Sequence, residues 1–307
     1  LREAGIVWHD TAGRNYQVQG GQLREAEEFI VDMPRLQRAL QALEQDMPLA
    51  DFLTRYLGGD GNAQMRRQAT QFAEGFDLAD PHRASTLALR DEWAEGGAED
   101  SPRPAGGYGR LVELLVRQAR AAGATVRCQA AVETLQWQAG RVRCRTAQGE
   151  FEARQALITV PLGVLQLPAE AAGALRFEPE LPGLQAAAAA LGMGSVVKLL
   201  LEFDAPFWEQ ADATLTRPAP ELGFVFADAA IPTWWSQQPD ARPLLTGWLG
   251  GPAARAAQAA EDLLQPAVES LAYIFGTSPE RVRQHLRAHR IIDWAADPWS
   301  RGAYSYA

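Results

Sequence analysis

One side chain stands apart chemically. Lys198 is the single lysine among 29 basic residues, the other 28 being Arg. It lies in Val196-Val-Lys-Leu-Leu-Leu-Glu-Phe203. Strand alternation there sets Val197, Leu199, Leu201 and Phe203 on one face, and Val196, Lys198, Leu200 and Glu202 on the other. If the second face lines a cavity, desolvation lowers the pKa of the amine and lets it position a water or handle protons. If it is the wetter face of a sheet, the ammonium reaches solvent on its long stem. A second group is aromatic: Trp294, Trp299, Tyr304 and Tyr306, broken by Asp297-Pro298 and Gly302. Such rings could cage a cationic or amine ligand, or they could plug a corner of the core.

Other candidates carry less. Gly192-Met-Gly194 lies between a helix pattern and a strand pattern. That is the reverse of the strand–turn–helix order that aims amides at a pyrophosphate, so it reads as a helix C-cap turn. No Gly-x-Gly-x-x-Gly exists in the chain. His285 and His289 are spaced i, i+4, but no third metal ligand stands at convincing spacing and four arginines crowd the segment. Cys128 and Cys144 fall on adjacent strand candidates and read as packed thiols. Without a Gly-x-Ser-x-Gly elbow, triad hydrolysis has no support.

The elements that must position these residues follow from periodicity. Strand-like stretches at 6–8 and 16–18 flank a turn at Ala12-Gly13. Four helical patterns follow, carried by Leu36, Leu40, Leu43 and Met47; by Leu49, Phe52, Leu53 and Tyr56; by Met65, Ala69, Phe72 and Phe76; and by a stretch from Asp80-Pro81 to Trp93. The Gly/Pro/acid-rich stretch 95–104 is the best domain crossing. Next come a helix striped by Leu111, Leu115 and Ala119, and strands at 125–128, 131–137, 141–146 and 151–153. The apolar run Ala156-Leu-Ile-Thr-Val160 has the pattern of a strand buried on both faces. An alanine-rich helix at 184–191 leads to strands at 195–203, 213–216, 222–226 and 244–249. A helix striped by Leu264, Val268, Leu271 and Phe275, another opened by Ser278-Pro279, and a strand at 290–294 complete the chain. The class is α+β with an α/β part.

Composition narrows the function. The 307 residues are 47% hydrophobic and 22% charged, an ordinary globular balance with no eighteen-residue apolar run. The net charge of −9 argues against nucleic acid, and two cysteines exclude a disulfide framework or a four-thiolate zinc site. The chain opens at Leu1 without Met and reads as a piece of something longer.

Four stretches, in order, carry a family resemblance. They are Pro104-Ala-Gly-Gly-Tyr-Gly-Arg-Leu111, Ile158-Thr-Val-Pro-Leu-Gly-Val-Leu165, Val197-Lys-Leu-Leu-Leu-Glu-Phe-Asp-Ala-Pro-Phe-Trp208 and Trp294-Ala-Ala-Asp-Pro-Trp-Ser-Arg-Gly-Ala-Tyr-Ser-Tyr306. Together they resemble landmarks of the flavin-containing amine oxidases, a family that includes monoamine oxidases, polyamine oxidases and flavin-dependent histone demethylases. The resemblance implies the FAD-linked amine oxidase fold, with FAD between a nucleotide-binding domain and a mixed-sheet substrate domain flanked by helices. It divides the chain into 1–103 and 168–293 of the substrate domain, 104–167 of the FAD-binding domain, and 294–307 returning toward the latter. It implies that Lys198 holds a water against the flavin, with Trp294 and Tyr304 beside ring and substrate. It also implies cofactor contacts at Val132, Thr159, Val160, Pro161 and Trp299. Ala303 stands where close relatives often have Ser. The family's N-terminal Gly-x-Gly-x-x-Gly unit and its C-terminal flavin segment are absent, so the resemblance implies a fragment that is inactive alone.

The expected activity of the intact protein is oxidation of a small-molecule amine to an imine with O2 reduced to hydrogen peroxide. A desaturase or porphyrinogen oxidase on the same scaffold, or a binding module that has lost its flavin, are the competing readings. The Arg/Ala-rich composition points to a bacterial source, and a cytoplasmic location is the expectation. Neither a nucleic acid nor a metal enters this reading.

Overall fold

The computed structural model describes residues 5–26, 29–94, 102–209, 211–258 and 262–307. The expected domain crossing at 95–104 therefore lies largely outside the described residues. The chain divides into two compact units. One comprises residues 1–10, 100–190 and 298–301; the other comprises 11–99, 191–297 and 302–307.

The larger unit has a helical layer. Met33–Gln41 takes Pro34 in its first turn and buries Leu36 and Leu40. Pro48, which cannot continue a helix, instead precedes Leu49–Tyr56, whose buried face is Leu49, Phe52 and Leu53. Ala63–Gly75 buries Met65, Gln68, Ala69 and Ala73, and Thr86–Ala94 contributes Leu89 and Trp93. The apolar side chains among these form one hydrophobic cluster. The first helix stops at Gln41, short of the periodic pattern that runs to Met47.

The same unit holds a seven-stranded mixed sheet. Its order is Leu286–Asp293, Val196–Phe203, Leu244–Gly250, Thr233–Trp235, Leu222–Phe226, Arg14–Gln19 and Gln22–Glu25. All neighbours run antiparallel except Arg14–Gln19 beside Leu222–Phe226. One face, with Val197, Leu199, Leu201, Val225, Trp234 and Leu245, belongs to a second hydrophobic cluster. Helix Leu264–Phe275 packs into that cluster and stops at Gly276, whose φ of 63° is the left-handed cap glycine favours.

Several sequence expectations change here. Residues 16–18 do not form a hairpin with 6–8. Trp8–His9 pairs with Arg103–Pro104 in the smaller unit, while Arg14–Gln19 joins the large sheet. Gly13, at φ 101°, lets the chain lie against Gly223; a Cβ there would sit 2.6 Å from the Gly223 nitrogen. Residues 213–216 form no strand because Asp212 Oδ1 instead accepts the amides of Thr214 and Leu215, closing a turn.

The smaller unit carries a four-stranded sheet ordered Gly149–Ala153, Arg141–Thr146, Val132–Gln138 and Arg176–Glu178, the last pairing being parallel. Residues 125–128 form no strand; Cys128 lies exposed in a bend and Cys144 in a strand, both as free thiols. The run 156–160 is extended but joins no sheet, and Leu157 is 91% exposed. Its apolar pattern does not mark a doubly buried strand: among the described residues no strand runs beside it. Helix Gly109–Ala121 is amphipathic yet buries none of its residues. Among the described residues no helix is long and apolar enough to cross a membrane.

Candidate active site

Lys198 sits, half-buried, in the second strand of the large sheet. Register places it across from Trp248 on one side and Ile292 on the other. Directly paired residues share a face, so Trp248, its partner Thr233, and then Trp235 and Phe224 stand on the Lys198 side. The Lys198 Nζ lies 5.6 Å from the Trp235 ring centroid, a cation–π distance. Rings continue from there: Trp235 to Trp248 is 5.8 Å, Trp248 to Tyr304 is 6.3 Å, and Phe224 to Trp235 is 5.7 Å. The lone lysine thus stands against an aromatic wall.

Backbone bonds fix Tyr304 there. The Gly194 amide donates to the Tyr304 carbonyl at 2.7 Å, and the Ala303 amide donates to the Gly194 carbonyl at 2.9 Å. Ser305–Tyr306 pairs with Gly192–Met193. A Cβ at Gly192 would overlap the Tyr306 ring, and one at Gly194 would overlap Leu78. Gly192–Met193 is therefore a short strand, and Gly192 and Gly194 are needed for close approach by Tyr306 and Leu78; the reading of Gly192-Met-Gly194 as a helix cap is corrected. The indole Nε1 of Trp248 donates to the Gly75 carbonyl at 2.7 Å, which holds that ring against the end of helix Ala63–Gly75.

Trp294 enters through its backbone. Its amide donates to the Val196 carbonyl at 3.1 Å, and its carbonyl accepts from Gly302 at 3.1 Å. Its ring makes no ring pair with Trp235, Trp248 or Tyr304 among the described residues. Nothing in residue spacing singles out Trp248 or Trp235; the sheet register brings both to Lys198. Alternation separates two neighbours: Trp234 is fully buried in the core, and Trp235 faces Lys198.

The remaining expected contacts belong to the smaller unit. Val132 begins a strand opposite Thr146. Thr159 and Val160 lie in the extended run, and Pro161 precedes the short helix Leu162–Leu165. Trp299 is exposed, beside Arg301, whose guanidinium donates to the carbonyls of Pro298 and Ala172. Gly163 packs so closely on the Arg301 backbone that a Cβ would meet its carbonyl oxygen at 2.5 Å.

The histidine pair takes no helix face. His285 ends helix Pro279–His285, stacks on Phe207 and bonds Asp204 through Nδ1 at 2.8 Å, while His289 lies in the edge strand.

These groups suit a planar, partly polar cofactor on one physical ground. The exposed run 154–160 presents Leu157, Ile158 and Val160 together with backbone groups that find no hydrogen-bond partner among the described residues. An apolar strip with free amides and carbonyls is what an aromatic ring system edged by heteroatoms would cover.

Comparison with known proteins agrees with this architecture. Residues 15–307 match the family described as flavin containing amine oxidoreductase. Polyamine oxidase 4 of Oryza sativa subsp. japonica is 29% identical over 215 residues, covering 65% of this chain and 39% of the rice protein. Peroxisomal N(1)-acetyl-spermine/spermidine oxidase of Bos taurus is 29% identical over 203 residues, covering 57% and 38%. A putrescine oxidase bound to putrescine superposes with a TM-score of 0.75 at 19% identity, covering 100% of this chain and 73% of that one. Cyclohexylamine oxidase from Brevibacterium oxydans gives 0.74 at 18% identity, covering 99% and 72%. The chain belongs to the flavin-containing amine oxidoreductase family. Membership implies a flavin cofactor, and the chain spans well under half the length of these curated relatives.

Proposed function

We propose that the intact protein is an FAD-dependent amine oxidase. It would convert R–CH2–NH2 and O2 into R–CH=NH and hydrogen peroxide, the imine then being hydrolysed by water. The observation that carries this reading is the placement of the one lysine of the chain on a sheet face walled by Trp235 and Trp248, with Tyr304 beyond. The relatives' names, polyamine oxidase and spermine/spermidine oxidase, support an amine as substrate.

When bound, the flavin supplies the two-electron acceptor for the C–N oxidation and passes the electrons on to O2. Val132, Thr159, Val160, Pro161 and Trp299 are the residues we assign to holding it. Lys198 holds a water at its Nζ, and the Trp235 face stabilises the ammonium that does so. The rings of Trp248 and Tyr304 exclude solvent around the reacting carbon and favour the neutral amine. Trp294 places the strand that carries Lys198, through the hydrogen bond its amide donates to the Val196 carbonyl.

In this reading the larger unit serves as the substrate domain and the smaller as part of the FAD-binding domain. The unburied helix Gly109–Ala121 and the bare run 156–160 support a domain completed by further polypeptide, and hence a 307-residue chain inactive alone. The test is peroxide release by the full-length, flavin-loaded protein across a panel of primary and secondary amines. One peroxide per O2 consumed is the expected result; no peroxide with any amine overturns it.

A further inference from the structure

The end of helix Ala63–Gly75 and the residues after it meet the aromatic wall at two points. The Gly75 carbonyl, at the helix end where the last carbonyls lack intrahelical partners, accepts the Trp248 indole Nε1 at 2.7 Å. Further along, Leu78 is buried in the left-handed region at φ 57°, which a residue other than glycine keeps only where its surroundings impose it. The two glycines opposite leave room for it. A Cβ at Gly194 would sit 2.5 Å from the Leu78 carbonyl oxygen, and one at Gly250 would sit 2.5 Å from its Cδ2. The Gly194 amide in turn donates to the Tyr304 carbonyl. Residues 75–78 thus hold Trp248 through a hydrogen bond and back Tyr304 through the packing of Leu78 on Gly194.

Between those points lies Asp77, buried and outside the site. Its Oδ2 takes the Trp93 indole hydrogen bond, and no donor among the described residues reaches the buried Oδ1. The Ala79 amide donates to the Ala73 carbonyl at 2.9 Å, which folds the segment back onto the helix. A neutral carboxyl tolerates such enclosure, whereas a carboxylate with one bare oxygen does not. Burial pushes the carboxyl up to about 7; the Trp93 hydrogen bond opposes this, and the charge of Glu92, on helix Thr86–Ala94, adds to it. On the segment's own side Asp80 and His82 act on Glu74. Gly194 and Gly250 bring no charge.

We propose that Asp77 is a positioning residue: its neutral form keeps residues 75–78 seated and so fixes Trp248 and Tyr304 beside Lys198, while its carboxylate lets the segment loosen. This rests on the function proposed above, which makes the aromatic wall part of the site, and adds a pH dependence to it. The sign follows from the proton. Loosening gives Asp77 water and returns it toward its ordinary value of 3.8, against about 7 when seated. Between those values the loosened form alone is ionised, so each pH unit favours loosening by up to about tenfold. Above about 7 both forms are ionised and the effect is constant.

The experiment uses the full-length, flavin-loaded protein, wild type and Asp77→Asn, from about pH 5 to 8. Protection from hydrogen exchange is read at the tryptophan indoles with nitrogen-15-labelled tryptophan, and at the Gly194 and Leu271 amides by mass spectrometry. From about pH 5 to 7 the wild type should lose about tenfold or more in protection at Trp248 and Gly194 relative to the variant. Both groups should stay less protected than the core Leu271 amide, which marks the opening as local. Loss at the Trp93 indole without loss at Trp248 and Gly194 overturns the proposal. So does an equal loss in the variant, or protection equal to that of Leu271 at every pH.

The rate of anaerobic flavin reduction by an amine, variant over wild type, should rise about tenfold over the same interval, since small misplacements in a site cost up to about 10²-fold. Taking the ratio cancels the titration of the substrate and of Lys198. A ratio independent of pH overturns the positioning role. Should no amine reduce the flavin, the oxidase reading fails, while the exchange data still judge Asp77. Trp93→Phe is the second variant, usable even if Asp77→Asn does not fold. Without the donor that favours the carboxylate, the pH at which protection levels off should move up; an unmoved value overturns the proposal.

Discussion

Replacing Asp77 by Asn should make the protein relatively more stable as pH rises from 4 to 8. Asp77 is only 5% exposed. Its Oδ2 accepts from the Trp93 indole Nε1 at 3.0 Å, and its Oδ1 is buried with no hydrogen-bond partner among the described residues. Burial pushes the carboxyl up from 3.8 to about 7; the Trp93 hydrogen bond opposes this and the charge of Glu92 adds to it. The folded protein therefore keeps a proton that the unfolded chain releases near pH 4. Stability from this group is complete below that point, is lost progressively as pH climbs toward 7, and levels off above. A shift of about three units at about 1.4 kcal/mol each amounts to about 4 kcal/mol, an upper bound because local hydration relieves a buried carboxylate. Asn retains the acceptor for Trp93 and cannot ionise. Urea midpoints of both proteins at pH 4, 6 and 8 give the comparison, and taking the difference cancels the other carboxylates. The variant should gain on the wild type by a few kcal/mol between pH 4 and 8. A difference independent of pH would refute the reasoning.

Two further substitutions probe the site. In the full-length flavoprotein, Lys198→Met should slow anaerobic flavin reduction by about 10²-fold or more while leaving the visible spectrum in place; an unchanged rate contradicts the role given to the lysine. Gly194→Ala should cost about 1–3 kcal/mol, because the new methyl overlaps the Leu78 backbone. Gly61→Ala, which meets open space, should shift stability by less than about 0.5 kcal/mol. Melting curves of the two variants side by side decide.

The helical layer and the lysine strand were legible because each has one buried face, and burial imposes a period that sequence records. Leu36 and Leu40, or Val197 and Leu199, are such cases. The site was legible where residue type was rare, as with Lys198. Trp248 escaped notice because its role comes from register with Lys198 and from a bond to Gly75, both far apart in sequence. The strand Thr233–Trp235 escaped because three residues are too few to show alternation. Gly192-Met-Gly194 misled for a related reason: a glycine needed for close approach looks like one needed for a turn, and only the neighbours, Tyr306 and Leu78, tell them apart. The run 156–160 shows the converse error, in which apolar content records a surface to be covered and not a strand already enclosed.

The most direct test of the central claim is the visible absorption spectrum of the full-length protein, recorded before and after anaerobic addition of an amine. The account predicts a flavin band that bleaches with the amine and returns with oxygen. A protein that stays colourless after refolding with FAD, or a flavin band that no amine bleaches, would contradict it.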